Sequence, residues 1–219
     1  MDSIVKDLIY ERKILSIGET IINTSLIGVN YDFENYYLET TNRRYSLKIN
    51  KKSGDQCSVI NRMYNDIKFN PITSREIYYS DPEILLMEYF QAESPDMRFI
   101  NQHIFGESIA KFHSKRESYY GYGYDTYIGS LLQENKMSHS WKKFYLNQRF
   151  DCLLSKMKET LSINSELNDK ILIVRDYIDR NLCEPSNSTL IHGDIWTGNI
   201  LVDNDRNLKI IDPALFYAD

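Results

Sequence analysis

The sequence predicts an α+β protein in two parts: an N-terminal antiparallel sheet with one helix against it, followed by a mainly helical half. Three observations carry that expectation. Between residues 12 and 89 the chain alternates short runs rich in Ile, Leu and Tyr with turn signals. Beyond about residue 105, apolar residues instead recur at spacings of three and four. Near the end, strand character returns around an unusually polar loop, "LIHGDIWTGNILV" (190–202).

The elements follow in order. "RKILSIG" (12–18), "ENYYLET" (34–40) and "RYSLKIN" (44–50) read as strands, the last two joined into a hairpin by the turn "TTNRR". "EIYYS" (76–80) and "EILLMEY" (83–89) flank the turn signal Asp81-Pro82. Between these pairs, Val59, Ile60, Met63 and Ile67 lie at helical spacing, which makes the pattern β-β-β-α-β-β. The boundary between parts is expected just after Tyr89, in a polar connector holding Pro95 and Asp96, so residues 1–90 and 91–219 form the two lobes. Phe105, Ile109 and Phe112 mark a helix ending near His113. Phe150, Leu153, Met157 and Leu161 mark a second, and Leu167, Ile171, Val174, Ile178 and Leu182 a third, broken by "EPSNS" (184–188). "TLIH", "NILVD" and "NLKIID" close the chain as strands, with "NDRN" (204–207) as a turn. There is no internal repeat and no low-complexity tract.

The composition is that of an ordinary globular protein: 219 residues, 42% hydrophobic and 26% charged. A net charge of −5 argues against nucleic acid as the main partner, because phosphate backbones favour a basic face. Cys57, Cys152 and Cys183 are far apart and form no CxxC pair, so free thiols are expected rather than a disulfide framework or a zinc site. The charged N-terminus lacks an apolar segment of signal-peptide length, and no stretch reaches the roughly 18 apolar residues of a membrane span. The expectation is a cytoplasmic protein with no membrane partner. His103, His113, His139 and His192 show no metal-ligand spacing.

The polar loop at 190–202 has a chemical reading. Asp194 and Asn199 are five apart, the interval between Asp and Asn in the kinase catalytic loop. Asp212 follows a strand, "NLKII", where kinases place a metal-binding aspartate. Phosphoryl transfer needs such a set. One carboxylate orients or accepts the proton of an attacking hydroxyl, and an amide oxygen and a second carboxylate hold Mg²⁺, a hard cation that takes oxygen ligands. An Asp before Pro213 can also simply begin a turn; that alternative must explain all three residues at once.

The segment "LIHGDIWTGNILVDNDRNLKIIDPALFYAD" closely resembles the fructosamine kinase (ketosamine-3-kinase) family, within the larger kinase-like group of aminoglycoside and choline phosphotransferases. The wider group shares HGDxxxxN and the later aspartate. Trp196, the Asp212-Pro213-Ala214 run and the aromatic pair Phe216-Tyr217 are similar to the fructosamine kinases in particular. "LLMEYF…GESIAKFH" and "YGYDTYIGS…SWKKFYLNQR", with Trp141, Phe144, Tyr145 and Arg149, resemble two further family segments. The resemblance runs from about Lys48 to the end of the chain. It implies a protein-kinase-like two-lobed fold and ATP-dependent phosphorylation of a sugar hydroxyl on a ketosamine, with ATP and Mg²⁺ as cofactors and a small-molecule or protein-bound ketosamine as substrate. It implies Asp194 as catalytic base, Asn199 and Asp212 as metal ligands, and Lys48 as the strand lysine on the nucleotide phosphates. It further implies Asp55 as the acidic partner of Lys48, the backbone of Met87, Glu88 and Tyr89 as the adenine hinge, and Trp196 and Tyr217 as substrate contacts. His192 would orient the catalytic loop.

Simpler readings stand beside these. Lys48 could be a solvated strand-end lysine among Lys51 and Lys52, and Asp55 only a helix N-cap. The chain also departs from the family. The phosphate-covering segment "IGETIINTSLIGVN" offers only Gly18 and Gly28, Asp55 is shorter than the usual Glu, and the sequence stops at Asp219, where family members continue with further helices. The expectation drawn from these departures is weak or absent activity of this 219-residue form and self-association, with a possible homo-oligomer. Two alternatives stay open: a phosphotransferase for another acceptor, such as an aminoglycoside or choline, and a truncated pseudokinase or binding module. "SYYGYGYDTY" (118–127) reads as a loop shaping the acceptor pocket or as surface packing, since it holds no basic residue for nucleic-acid stacking.

Overall fold

The computed structural model describes residues 3–30, 32–92, 102–203 and 207–219. The chain falls into two units, one formed by Met1–Phe105 with Asp194–Pro213, the other by Gly106–Gly193 with Ala214–Asp219.

The first unit begins with helix α1 (Ser3–Glu11), then strands β1 (Ile21–Asn30), β2 (Phe33–Thr40) and β3 (Arg44–Asn50), helix α2 (Gln56–Ile67), and strands β4 (Ile77–Ser80) and β5 (Ile84–Glu88). The sheet order is β1-β2-β3-β5-β4, and every pair is antiparallel. Strand side chains alternate between faces, which divides β3 into two sets. Tyr45, Leu47 and Ile49 join Tyr36, Leu38, Ile84 and Leu86 in one apolar layer, completed by Val5 and Ile9 of α1. Ser46, Lys48 and Asn50 belong to the opposite face, where α2 buries Cys57, Ile60, Met63, Tyr64 and Ile67. Lys48 is therefore placed among apolar residues, 7% exposed, and is not a solvated strand-end lysine.

One expected element is absent. Residues 12–18 are not a strand but a turn, with positive φ at Lys13 (51°) and Gly18 (83°). Ile14 is buried in the α1 layer, and Arg12 pairs with Asp81 (2.7 Å) and Glu83, so this segment is held by side chains rather than by a strand ladder. The strand lies later, at Ile21–Asn30, and Gly28 sits within it beside a register shift between Leu26 and Gly28. Helix α1 was not read from the sequence. Its signal was Val5, Leu8 and Ile9 on one face, hidden by the charges between them. The connector with Pro95 and Asp96 and the turn at 204–206 lie outside the described residues.

The second unit takes in most of helix α3 (Gln102–Phe112) and contains strands β6 (Arg116–Glu117), β7 (Thr126–Ile128) and β8 (Leu131–Gln133). Helix α4 (Trp141–Tyr145) runs through a π turn (Leu146–Phe150) into α5 (Asp151–Thr160), and α6 (Ser165–Asn181) and strand β9 (Ser188–Ile191) follow. The first turn of α4 is capped by Ser140 and by Glu184, whose carboxylate accepts from the Trp141 and Lys142 N–H groups at 2.7 and 3.2 Å. Asn164 caps α6 through the Leu167 N–H. The segment 118–127 is packing: Tyr120 and Tyr122 are buried, and Tyr120 lies 5.3 Å from the Trp141 ring. Helices α5 and α6 bury none of their residues fully. Of the α6 stripe, Ile171, Ile178 and Leu182 are half-buried, whereas Leu167 and Val174 are exposed.

After β9 the chain returns to the first unit as a 3-10 turn (Thr197–Asn199) and the antiparallel hairpin β10 (Ile200–Val202) and β11 (Leu208–Ile210). It ends in β12 (Phe216–Ala218), which completes a three-stranded sheet of order β12-β9-β6 in the second unit. The three cysteines are free thiols. No helix among the described residues is long and apolar enough to cross a membrane.

Candidate active site

The hairpin β10–β11 brings the predicted residues together within the first unit. Its 3-10 turn buries Asn199 (6% exposed), whose side-chain amide donates to the Asp194 backbone oxygen (3.0 Å) and to Asp194 Oδ2 (2.8 Å). Both amide protons are thus directed at the aspartate, and Asn199 keeps Oδ1 as a ligating oxygen. Along the opposite strand, the Ile211 N–H donates to the Asn199 carbonyl at 2.9 Å, which ties the turn to the residue before Asp212. The Ile210 N–H donates to Ile72 O at 2.7 Å and anchors the hairpin to the first unit.

Asp212 adopts a left-handed backbone, φ 54°, which is uncommon for a residue with a side chain and marks positions that surrounding bonds must hold. Here its N–H donates to the Tyr64 hydroxyl at 3.0 Å. Its carboxylate meets the Lys48 amine at 2.7 Å. The same amine lies 5.1 Å from the centre of the Phe33 ring. Tyr64 and Phe33 were missed from the sequence. Tyr64 sits in the buried face of α2, next to the apolar positions that were read, and nothing local reveals that its hydroxyl reaches residue 212.

Asp55 occupies the N-cap position of α2, makes no capping bond through its side chain and is exposed. The ion pair of Lys48 is with Asp212 instead. Met87 is buried at the end of β5, and the Glu88 N–H donates to Glu76 O at 2.8 Å. Tyr89 packs edge-on against Tyr37 with centroids 4.8 Å apart. Trp196 is 57% exposed. Its indole lies over Gly198, where an added Cβ would fall 2.4 Å from the ring, so the glycine makes room for that ring position.

In the second unit, Gly193 has φ 82°, and a Cβ there would fall 2.1 Å from the Ala214 carbonyl oxygen. The Ala214 N–H donates to His192 O at 2.8 Å. The glycine of "HGD" and the alanine of "DPA" are therefore explained by one close backbone crossing. His192 is fully buried. Tyr217 is 4% exposed, with its ring against Tyr119 (5.5 Å) and Tyr122 (5.9 Å).

Burial pushes the Asp194 carboxyl above its ordinary range, the Asn199 amide pulls it back, and the charge of Asp212 pushes it up again. The donor set fits a magnesium ion carried by phosphates. Asn199 Oδ1 and the Asp212 carboxylate are hard oxygen donors, and Mg²⁺ takes one or two protein groups alongside phosphate oxygens and water. No group of three or more His, Cys, Asp or Glu that could hold a metal ion occurs among the described residues.

Comparison with known proteins identifies the family. The family model for fructosamine kinase matches residues 16–219. A probable ketoamine kinase of Enterococcus faecium is 27% identical over 192 residues, 85% of this chain and 67% of that protein. One from Vibrio parahaemolyticus is 32% identical over 120 residues, 54% of this chain and 40% of that protein. A crystal structure from Haemophilus somnus, assigned to fructosamine-3-kinase, superposes with a TM-score of 0.76 at 22% identity, covering 98% of this chain and 72% of that one. An aminoglycoside phosphotransferase, solved in a ternary complex with AMP-PNP and hygromycin B, superposes with a TM-score of 0.68 at 14% identity, covering 99% of this chain and 73% of that one. The structural likenesses show a kinase-like α+β fold, and the match over nearly the whole chain shows the family: this chain belongs to the fructosamine kinase family.

Proposed function

We propose that the protein is a cytoplasmic ATP-dependent kinase that phosphorylates a sugar hydroxyl of ketosamines, the fructosyl or ribulosyl adducts of amines such as lysine, and so takes part in deglycation. The observation that carries this reading is the juxtaposition, in one unit, of Lys48 with Asp212 and of Asp194 with Asn199. In it, Asp194 orients the acceptor hydroxyl and takes its proton. A carboxylate raised by burial is a stronger base than an exposed one, and the Asn199 amide, donating to Oδ2, holds its orientation. Lys48 holds the nucleotide phosphates, and its bond to Asp212 sets the distance between the phosphate-gripping cation and the metal-binding carboxylate. Asn199 and Asp212 would hold Mg²⁺, which neutralises charge on the transferring phosphoryl group. Adenine is held by backbone groups of the segment Met87–Tyr89. The Glu88 N–H is already committed to Glu76, so a donor to adenine comes from a neighbouring residue of that segment. Trp196 offers an exposed aromatic face to the sugar, while Tyr217 acts on the acceptor only through the aromatic layer it belongs to. Asp55 contributes by its position at the start of α2.

The test is calorimetric titration of ATP with and without Mg²⁺, followed by phosphate transfer to a fructosyl-lysine analogue. Mg²⁺ is expected to tighten ATP binding, and Asp212→Ala to abolish that gain. Equal affinity with and without the metal removes Asn199 and Asp212 from the proposed role. Transfer to an aminoglycoside or choline in preference to the ketosamine removes the acceptor assignment.

A further inference from the structure

Successive N–H groups lead along the hairpin into Asp212, and their acceptors differ in kind. The Ile210 N–H donates to Ile72 O at 2.7 Å and the Ile211 N–H to Asn199 O at 2.9 Å, both backbone carbonyls. The Asp212 N–H donates instead to a side chain, the Tyr64 hydroxyl, at 3.0 Å.

That acceptor sits on a fixed support. Tyr64 is 1% exposed, on the face of α2 that also buries Ile60, Met63 and Ile67. A buried tyrosine keeps a polar tip that needs a partner, and packing of the ring decides where the tip points. The end of α2 is tied to the same hairpin. The Thr73 hydroxyl donates to Ile67 O (3.2 Å), the Ile72 N–H to Asn70 Oδ1 (3.1 Å), and the Lys209 amine to Ser74 O (2.9 Å). Helix α2, the loop 70–74 and β11 are therefore one bonded piece, and Tyr64 reaches Asp212 from within it.

Asp212 needs such a hold. Its φ of 54° is left-handed, and Pro213 follows, although a residue before proline favours extended backbone. Its carboxylate has the Lys48 amine at 2.7 Å, but that ion pair is exposed to competition. Phosphates draw on the charge of Lys48, and a metal draws on the charge of Asp212. The bond from Tyr64 is neutral and acts on the main chain, so it competes with neither.

We propose that Tyr64 is a positioning residue: its hydroxyl holds the Asp212 backbone so that the carboxylate is aimed for Mg²⁺, and it thereby sets how tightly the site takes the metal with its nucleotide. The proposal rests on the reading of Asp212 as a metal-binding group. Tyr64 itself touches neither nucleotide nor metal.

The experiment uses the 219-residue chain and Tyr64→Phe, which keeps the buried ring and removes only the hydroxyl. ATP affinity is measured by calorimetry without metal and across a series of Mg²⁺ concentrations, and amide hydrogen exchange is followed at residues 210–212. In the wild type the Asp212 amide is expected to be protected. In Tyr64→Phe it should exchange at least about tenfold faster, with Ile210 and Ile211 changed less. The Mg²⁺ concentration that gives half the gain in ATP affinity should rise about tenfold, the effect of one lost buried hydrogen bond, while metal-free ATP affinity holds. A merely structural role would lower stability and leave the Mg²⁺ dependence of the folded chain unchanged. The proposal is overturned if Tyr64→Phe keeps the wild-type Mg²⁺ dependence, or if it loses ATP affinity equally with and without metal. A freely exchanging Asp212 amide in the wild type overturns it without any variant. A wild type that gains nothing from Mg²⁺ refutes the metal site, and the role of Tyr64 with it. A wild-type gain that survives in Tyr64→Phe refutes the role of Tyr64 alone.

Discussion

At the scale of single residues, Asp194 shows most clearly how location becomes chemistry. Its carboxyl is raised by burial, and the sign of the consequence is fixed. Between the ordinary carboxylate pKa and the raised one, the folded state binds more protons than the unfolded state, so stability falls as pH rises through that window. At neutral pH the ionised Asp194 is therefore a cost to folding, one that the proposed role as base requires. Asp194→Asn should lower turnover by roughly two to four orders of magnitude, the range of general acid–base catalysis, while the melting temperature at pH 7 holds or rises. Parallel assays of turnover and thermal unfolding check both halves, and a variant with near-normal turnover removes Asp194 from the mechanism. By the same logic, the acid limb of the pH–rate profile should lie above the ordinary aspartate value of about 3.9. Gly193 is constrained by geometry. Gly193→Ala combines a positive φ with a clash against the Ala214 carbonyl, so it should destabilise the chain by more than about 1 kcal/mol, read from urea unfolding.

At the scale of elements, two devices do what composition could not announce. The β10–β11 hairpin places Asn199 and Asp212 side by side although they are 13 positions apart, because Ile211 N–H bonds back to Asn199 O. Helix α4 starts under a cap supplied from 44 residues away, where Glu184 receives the first helical N–H groups and the Ser140 hydroxyl. Glu184→Ala should cost about 0.5–2 kcal/mol, the usual value of a helix cap, in chemical denaturation. An unchanged midpoint would show that water replaces the carboxylate without loss. The "EPSNS" stretch was legible as a helix breaker, but its glutamate as a cap was not, since the partner helix is remote in sequence.

At the scale of the whole molecule, helix α6 presents Leu172, Ile173, Val174 and Tyr177 to solvent, with Ile173 68% and Tyr177 66% exposed. Contiguous apolar surface of this kind favours association. The chain is expected to self-associate at micromolar concentration, and Ile173→Glu together with Tyr177→Glu should return it to a monomer in light scattering. A wild-type chain that stays monomeric on concentration would show that α6 tolerates water as it stands.

What the sequence determined by itself was local or repeating. The strands at 34–40, 44–50, 76–80 and 83–89, the helical stripes and the Asp194–Asn199 interval are patterns a short window carries, since side-chain period follows from backbone geometry. The resemblance in the last 30 residues likewise needed no coordinates, because the motif is contiguous. The misplaced first strand shows the limit. Residues 12–18 have strand composition, yet Ile14 gains more by joining the α1 layer, and the salt links of Arg12 hold the turn. Tertiary structure decided the partners. Lys48 meets Asp212 rather than Asp55, Tyr64 fixes the backbone of Asp212, and Arg149 lies between Phe144 and Phe216. Each of these joins residues from separate elements. Their pairing is set by how sheet, helix and hairpin pack, and a linear pattern contains no term for that.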